Sequence, residues 1–232
     1  MSREELVQAY LGGQMSRRVF LRRLVATGVS LAAAVTYADV LKARPAAATM
    51  GPNDFYIHVV DYAFSPQTAT LTGVGQPVYW GFAATSGRLH SSKDTTGLGL
   101  WDGTASSAYG EFRYDAPFAA GTYTYRCKET DHVLMTGTIR VPMDTDPNSG
   151  NLNTQFTLNW GQISGVLPEG RVYDVQRRKP GGRWRSWKTG TTNRGTTWTP
   201  SMRGTWKFRA RLRHPPSGEA SGWSPVLSVH VG

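Results

Sequence analysis

Residues 121–141 read GTYTYRCKETDHVLMTGTIRV and contain two strand patterns joined by a short loop. Before the loop, small polar and aromatic side chains alternate strictly as far as Cys127, and after it a second strand pattern begins at Gly137. Alternation with a period of two is typical of a β-strand that buries one face. The stretch therefore predicts two strands whose connection carries Cys127, His132 and Met135.

Similar short runs lie upstream of this stretch. Residues 55–60 are rich in β-branched and aromatic side chains, residues 69–72 resume a strand after a kink at 62–66, and residues 76–82 form another run. Short strands at this spacing predict an antiparallel β-sandwich, which we assign to residues 52–142.

The side chains in the connecting loop suit a single metal ion. Cys127 and His132 lie at the two ends of a four-residue loop, so both can face one ion, and Met135 can approach it axially. His90 would arrive from the end of a neighbouring strand. Two imidazoles, a thiolate and a weak axial thioether form the donor set of type 1 copper. A lone cysteine is more often a buried apolar residue, and Met135 alone is also explained as core filler.

The same residues resemble the blue-copper (cupredoxin) family that includes plastocyanin, pseudoazurin and amicyanin. Residues 122–141 are similar to the copper-loop signature of that family, residues 62–66 to its early strand kink, and residues 90–103 to the region after its first histidine. The resemblance covers residues 55–142. It implies a cupredoxin Greek-key β-sandwich and one type 1 copper ion, with His90, Cys127 and His132 as equatorial ligands and Met135 as the axial ligand.

Two features depart from that family. Many members have two residues between the cysteine and the histidine, and azurin-like members have four but place the methionine one residue further on. Here residues 128–131 make a charged four-residue loop with the shorter spacing to Met135. In addition, the Asn that usually ties the copper loops together is not evident near His90.

The residue counts favour an electron carrier over an enzyme. A binuclear electron-transfer copper site needs two cysteines and this chain has one, while a multicopper oxidase needs several His-x-His pairs and this sequence has none. We therefore predict no catalytic residues. The resemblance implies a redox protein partner, with His132 as the electron exit and Val133 and Leu134 as an apolar docking patch. Two alternatives remain: a copper-buffering or delivery protein, and a surface adhesion protein that uses the cupredoxin fold as a scaffold.

The N-terminus resembles an export signal. Residues 16–22 read SRRVFLR, similar to the twin-arginine motif with Arg17 and Arg18 as the pair. A moderately apolar stretch follows at 24–37, and Ala46, Ala47 and Ala48 form a small-residue site of the A-x-A type. We predict a twin-arginine signal peptide over residues 1–48 and a mature protein that is secreted, periplasmic or on the cell surface. Membrane contact is expected only during export or if the signal stays uncleaved.

The last third of the chain predicts a second β-sandwich. Residues 143–153 are polar and turn-rich and predict a linker. Residues 154–232 contain about seven strand patterns and resemble a fibronectin type III domain, with Trp160 as its core tryptophan and Trp206 where a tyrosine corner usually sits.

The net positive charge of the chain is concentrated in this second domain. The formal net charge of the chain is +10, and residues 151–232 contain thirteen Lys/Arg and three Asp/Glu. One face is expected to carry a basic patch, which consists of Arg209, Arg211, Arg213, Arg183 and Arg185. Such a patch favours an anionic cell-wall polymer as the partner, with nucleic acid unlikely. The alternative is a structural Arg–Trp ladder with Trp223 or Trp187 between guanidinium planes.

Overall fold

The computed structural model describes residues 2–11, 14–32, 34–35, 38, 54–82, 89–105, 110–114, 118–130, 132–162 and 169–232. Within these ranges, two N-terminal helices, followed by further helical residues at 31–32, 34–35 and 38, precede seventeen strands. The strands form two successive β-sandwiches, so the prediction of an all-β chain built from two sandwiches is confirmed.

The first sandwich consists of two sheets. One contains, in spatial order, β2 (Ala63–Ser65), β1 (Phe55–Val60), β4 (Val78–Phe82) and β7 (Gly110–Tyr114). The other contains β3 (Thr68–Thr70), β9 (Thr136–Val141), β8 (Gly121–Arg126), β5 (His90–Asp94) and β6 (Asp102–Ala105). The aromatic face of the alternating strand β8 points between the sheets, where the ring of Tyr125 contacts Phe64 at 4.6 Å and Trp80 at 5.7 Å between centroids. This packing fixes β8, whose end leads into the candidate ligand loop.

The two helices form a hairpin against the first sandwich. They are α1 (Arg3–Leu11) and α2 (Arg17–Ala26), and the Ser16 side chain caps α2. Tyr10 and Phe20 stack at 4.3 Å between ring centroids, and the hairpin packs on Val60 and Ala63. In the described residues, no helix has the length and apolarity needed to cross a membrane. The predicted cleavage site at residues 46–48 lies outside the described residues.

The second sandwich begins earlier than the sequence predicted. One sheet contains β10 (Asp144–Asp146), β12 (Phe156–Asn159) and β15 (Gly195–Trp198), and the other contains β11 (Ser149–Gly150), β17 (Leu227–Val231), β16 (Gly204–Arg213), β13 (Val172–Arg178) and β14 (Arg185–Thr191). The stretch 143–153, predicted to be a linker, thus contains two strands. Both β10 and β11 lie at sheet edges, where backbone hydrogen bonds hold a polar strand without a buried apolar face.

The corner of the second sandwich is closed by a tryptophan. The indole N–H of Trp206 donates a hydrogen bond to the backbone carbonyl of Met202 at 3.0 Å. This bond replaces the one that a tyrosine hydroxyl makes at a tyrosine corner.

The two sandwiches share one hydrophobic core, and backbone hydrogen bonds join them. Thr122 of β8 and Gly222 donate N–H groups to each other's carbonyls at 2.9 and 2.8 Å, and the Thr122 hydroxyl donates to the Trp223 carbonyl at 2.8 Å. Ala120 also donates to the carbonyl of Trp160 at 2.9 Å. The strand that precedes Cys127 is therefore bonded directly to the second domain.

Candidate metal centre

Three buried side chains converge at one end of the first sandwich. His90 is the first residue of β5, Cys127 directly follows β8, and His132 lies in the loop before β9. Because β5 and β8 are antiparallel, with Lys93 opposite Arg126, the start of β5 lies beside the loop that follows β8. One ligand atom from each of the three residues lies within 4.8 Å of the others.

The loop geometry brings the thiol and the imidazoles together. Cys127 Sγ is 3.4 Å from Nδ1 of His132, and the rings of His90 and His132 are nearly parallel, with centroids 4.6 Å apart. The backbone N–H of Cys127 donates to the carbonyl of Met135 at 3.0 Å, and the N–H of Met135 donates to the carbonyl of His132 at 2.9 Å. These bonds close the loop and hold Cys127 and His132 on the same side.

Ser91 ties the segment that carries His90 to the loop that carries Cys127 and His132, a role that the sequence did not reveal. Its hydroxyl oxygen accepts a hydrogen bond from the backbone N–H of Lys128 at 2.7 Å, and the hydroxyl lies 3.6 Å from the sulfur of Cys127. The only indication of this role in the sequence is that Ser91 directly follows His90.

The environment favours the thiolate form of Cys127. Burial raises the pKa of this thiol, but the nearby polar groups of His90, the backbone of Glu129, His132 and Ser91 stabilise the thiolate, outweigh burial and lower the pKa to about 6. For His90, burial lowers the pKa, whereas the hydrogen bond to Asp61 and the nearby thiol of Cys127 raise it, and the net direction is upward. A thiolate at neutral pH is the form that binds a metal ion.

These residues fit a copper ion. Nδ1 of His90 is buried and has no hydrogen-bond partner among the residues that the structure describes. A buried imidazole nitrogen without a partner is costly unless something satisfies it, and a metal ion at the convergence of the three side chains would do so. The combination of one soft thiolate with two imidazoles suits both oxidation states of copper.

Met135 lies in the same loop and its side chain is fully buried in the core. Its backbone contacts with Cys127 and His132 place it next to the two ligands in the chain. Its predicted axial role stays a prediction, because these contacts are made by its backbone and not by its sulfur.

Three apolar side chains next to the candidate ligands in the chain are exposed. Val133 is 71% exposed and Leu134 is 53% exposed, and Leu89 adds a further exposed apolar side chain. His132 itself is only 1% exposed, however, and the ring of Tyr62 lies edge-on against it at 5.1 Å between centroids. The predicted electron exit at His132 thus lies under the surface, with Val133 and Leu134 outside it.

The basic residues of the second domain form a stacked ladder. The guanidinium of Arg209 lies 4.4 Å from the ring centroid of Trp184 and 4.7 Å from that of Trp223, and the guanidinium of Arg211 lies 4.8 Å from the Trp223 centroid. Asp174 accepts hydrogen bonds from both Arg211 and Arg213. Three of the five predicted patch residues are therefore engaged in the fold.

The two other patch residues differ from these three. Arg183 and Arg185 lie before and at the start of β14, and both are exposed. They are the members of the predicted patch with side chains most open to an external anion.

Comparison with known proteins gives likenesses of fold only. No family model matches the chain, and no curated protein matches it. A reduced amicyanin mutant is 20% identical, covering 43% of this chain and 92% of that chain, with a TM-score of 0.32. A copper-containing nitrite reductase from Thermus scotoductus SA-01 is 19% identical over 43% of this chain and 24% of its own, with a TM-score of 0.31. Three fibronectin domains of chicken CNTN1 are 15% identical over 62% of this chain and 57% of theirs, with a TM-score of 0.29.

Proposed function

We propose that this protein is an exported type 1 copper protein that carries single electrons outside the cytoplasmic membrane. The observation that carries the proposal is the buried group of His90, Cys127 and His132, whose ligand atoms lie within 4.8 Å of one another. When bound, copper supplies the one-electron chemistry, because Cu(II) accepts a single electron and Cu(I) returns it. Met135 would supply a weak fourth ligand.

The protein's own residues do three things in this proposal. His90, Cys127 and His132 hold the ion, and the surrounding core excludes water from it. Ser91 holds the two ligand-bearing segments together, so that little needs to move when the electron arrives or leaves. The exposed side chains of Val133 and Leu134 supply an apolar surface for a redox protein partner.

Export is proposed from the twin-arginine motif. Arg17 and Arg18 are both exposed in the first turn of α2, directly after the Ser16 cap. The second sandwich is proposed to serve docking or surface attachment, since it carries nearly all of the net positive charge.

The test is the optical spectrum of the copper-loaded full chain. We expect an intense visible band from thiolate-to-Cu(II) charge transfer, and Cys127→Ser should abolish the band because a hydroxyl is not a thiolate. His90→Gln and His132→Gln should weaken copper binding and the band. His58→Gln is the matched control, since His58 is a partly buried histidine of β1 outside the ligand group and should leave both unchanged.

Two results would count against this function. A band that survives Cys127→Ser would mean that the ligand set is wrong. A copper-loaded protein with the band but without a reversible one-electron couple and rapid self-exchange would instead favour copper buffering or delivery.

A further inference from the structure

A two-residue turn contacts both candidate histidine ligands from outside the ligand loop. Asp61 and Tyr62 connect β1 to β2, in which Val60 pairs with Ala63. Asp61 Oδ1 is 3.0 Å from Nε2 of His90. Tyr62 directs its ring at His132, the other histidine. The spacing of residues in the ligand loop gives no indication that this turn lies beside the two histidines.

The Asp61–His90 contact is buried and specific. The side chain of His90 is 1% exposed and that of Asp61 is 8% exposed, so little water competes for the bond. An ionised carboxylate can only accept hydrogen bonds, and therefore Nε2 of His90 must carry the proton. In the neutral imidazole this leaves the lone pair on Nδ1, the buried nitrogen that lacks a hydrogen-bond partner in the described part of the chain.

The turn itself is held in an unusual conformation. Tyr62 has a φ of 67°, a value that a bulky side chain rarely adopts. Such a conformation costs about 1–3 kcal/mol and persists only where the surroundings impose it. On either side of the turn, Val60 and Ala63 are fully buried and pack against the N-terminal helices. The fold thus holds Asp61 against His90 despite this cost.

We propose that Asp61 is a positioning residue that fixes the tautomer and orientation of His90, so that Nδ1 faces the copper ion and Cu(II) is favoured. The inference rests on the proposed copper function. A carboxylate that accepts the second N–H of a ligand histidine makes that imidazole a stronger donor. The higher charge of Cu(II) benefits more from a stronger donor than Cu(I) does, and so Asp61 lowers the reduction potential.

The experiment compares Asp61→Ala, Asp61→Asn and Asp61→Glu with the wild-type full chain. Removing the carboxylate should weaken Cu(II) binding by about 10–100-fold. Each tenfold loss of Cu(II) affinity relative to Cu(I) should raise the potential by about 59 mV. We expect the largest rise in Asp61→Ala, a smaller one in the nearly isosteric Asp61→Asn, and partial rescue in Asp61→Glu. The control is Asp144→Asn, a partly buried carboxylate that accepts from the N–H of Val74 and should leave the potential unchanged.

A second measurement needs no metal. Nitrogen NMR of the metal-free protein should show His90 in the Nε2–H tautomer in the wild type, and a mixture of tautomers in Asp61→Ala. An unchanged potential together with an unchanged tautomer in a folded Asp61 variant would overturn the inference. If Asp61→Ala does not fold, Asp61→Asn provides both measurements. A wild type without the charge-transfer band would overturn the proposed copper function, while the NMR measurement would still decide the role of Asp61.

Discussion

Cys127 and Met135 lie at opposite ends of the loop that contains His132, and their sulfur atoms differ in donor strength. The thiolate is a strong, charged donor, and the thioether is a weak neutral one. The backbone bond from Cys127 to the carbonyl of Met135 places the two residues side by side at the base of the loop. This arrangement allows the axial role of Met135 to be tested without disturbing the thiolate.

Met135→Leu should keep copper bound and raise the reduction potential, because a weak donor to Cu(II) is lost. The expected rise is about 59 mV for each tenfold loss of Cu(II) affinity relative to Cu(I). The exchange conserves volume and should cost less than about 1.5 kcal/mol of stability. Voltammetry of the copper-loaded protein measures the effect, with Met143→Leu as the control because Met143 is a similarly buried methionine. An equal potential and spectrum in Met135→Leu and wild type would mean that Met135 only fills the core.

At the residue scale, the sequence indicated the three clustered side chains, which are the candidate ligands, better than the residues that support them. Cys127 and His132 are close in sequence, and His90 begins a stretch that resembles the cupredoxin family. The group could therefore be predicted from the sequence alone. Asp61 and Ser91 act through hydrogen bonds that depend on how β1 and β5 approach the ligand loop. A buried aspartate or serine has no spacing rule that identifies it from one sequence.

The strands β13 and β16 are held together on their outer face by one carboxylate. Asp174 of β13 is 7% exposed and accepts hydrogen bonds from Arg211 and Arg213 of β16 and from the N–H of Gly190. Burial raises the pKa of Asp174, but the bonds from Arg213, Gly190 and Arg211 outweigh burial, so the pKa is lowered. The ladder of stacked rings and guanidinium groups thus depends on an ionised Asp174.

Asp174→Asn should destabilise the protein at pH 7 and do so less in acid. Hydrogen bonds to charged groups contribute about 1.5–3 kcal/mol, and an amide forms weaker bonds to the arginines. Because the folded-state pKa is lowered, the contribution is fully present above the ordinary value of about 3.9 and is lost as the pH falls through the lowered pKa. The difference in the free energy of unfolding between Asp174→Asn and the wild type should therefore be smaller at pH 3 than at pH 7. Unfolding curves at the two pH values measure it. The control is Asp146→Asn, which replaces an exposed carboxylate of β10. An equal loss of stability in Asp174→Asn at both pH values would contradict this role for Asp174.

At the scale of strands, the prediction succeeded where side chains alternate and failed where they do not. The alternation in β8 and β16 follows directly from one buried face, and both strands were predicted. The edge strands β10 and β11 are polar on both faces, and their stability comes from backbone pairing with β12 and β17. A sequence pattern contains no record of such pairing, so these strands were predicted as a linker.

The whole molecule combines an acidic first sandwich, which contains the candidate metal site, with a basic second one. Residues 49–150 contain ten Asp/Glu and six Lys/Arg, whereas residues 151–232 contain three and thirteen. The mutual hydrogen bonds of Thr122 and Gly222 and the continuous core join the two parts. A polymer bound to the second sandwich would therefore hold the candidate copper site at a defined place relative to that surface.

Two sets of substitutions should separate the structural arginines from those available to an anionic polymer. Replacing Arg209, Arg211 and Arg213 together by Glu should lower the melting temperature, because these side chains stack on Trp184 and Trp223 and bind Asp174. Each stacked cation contributes about 0.5–2 kcal/mol, so the combined loss should be plain in a melting curve. Replacing the exposed Arg183 and Arg185 by Glu should leave melting unchanged.

Binding of the full chain to wall teichoic acid supplies the second measurement. The wild type should bind, and binding should weaken as salt rises, because the Debye length falls from about 10 Å at 0.1 M to about 3 Å at 1 M. The Arg183 and Arg185 variant should lose most of this binding while its copper spectrum stays that of the wild type. If the wild type does not bind teichoic acid, the polymer proposal fails and the positive charge has no demonstrated ligand. If the triple variant melts like the wild type, the ladder does not stabilise the fold, and its arginines are free to serve a ligand instead.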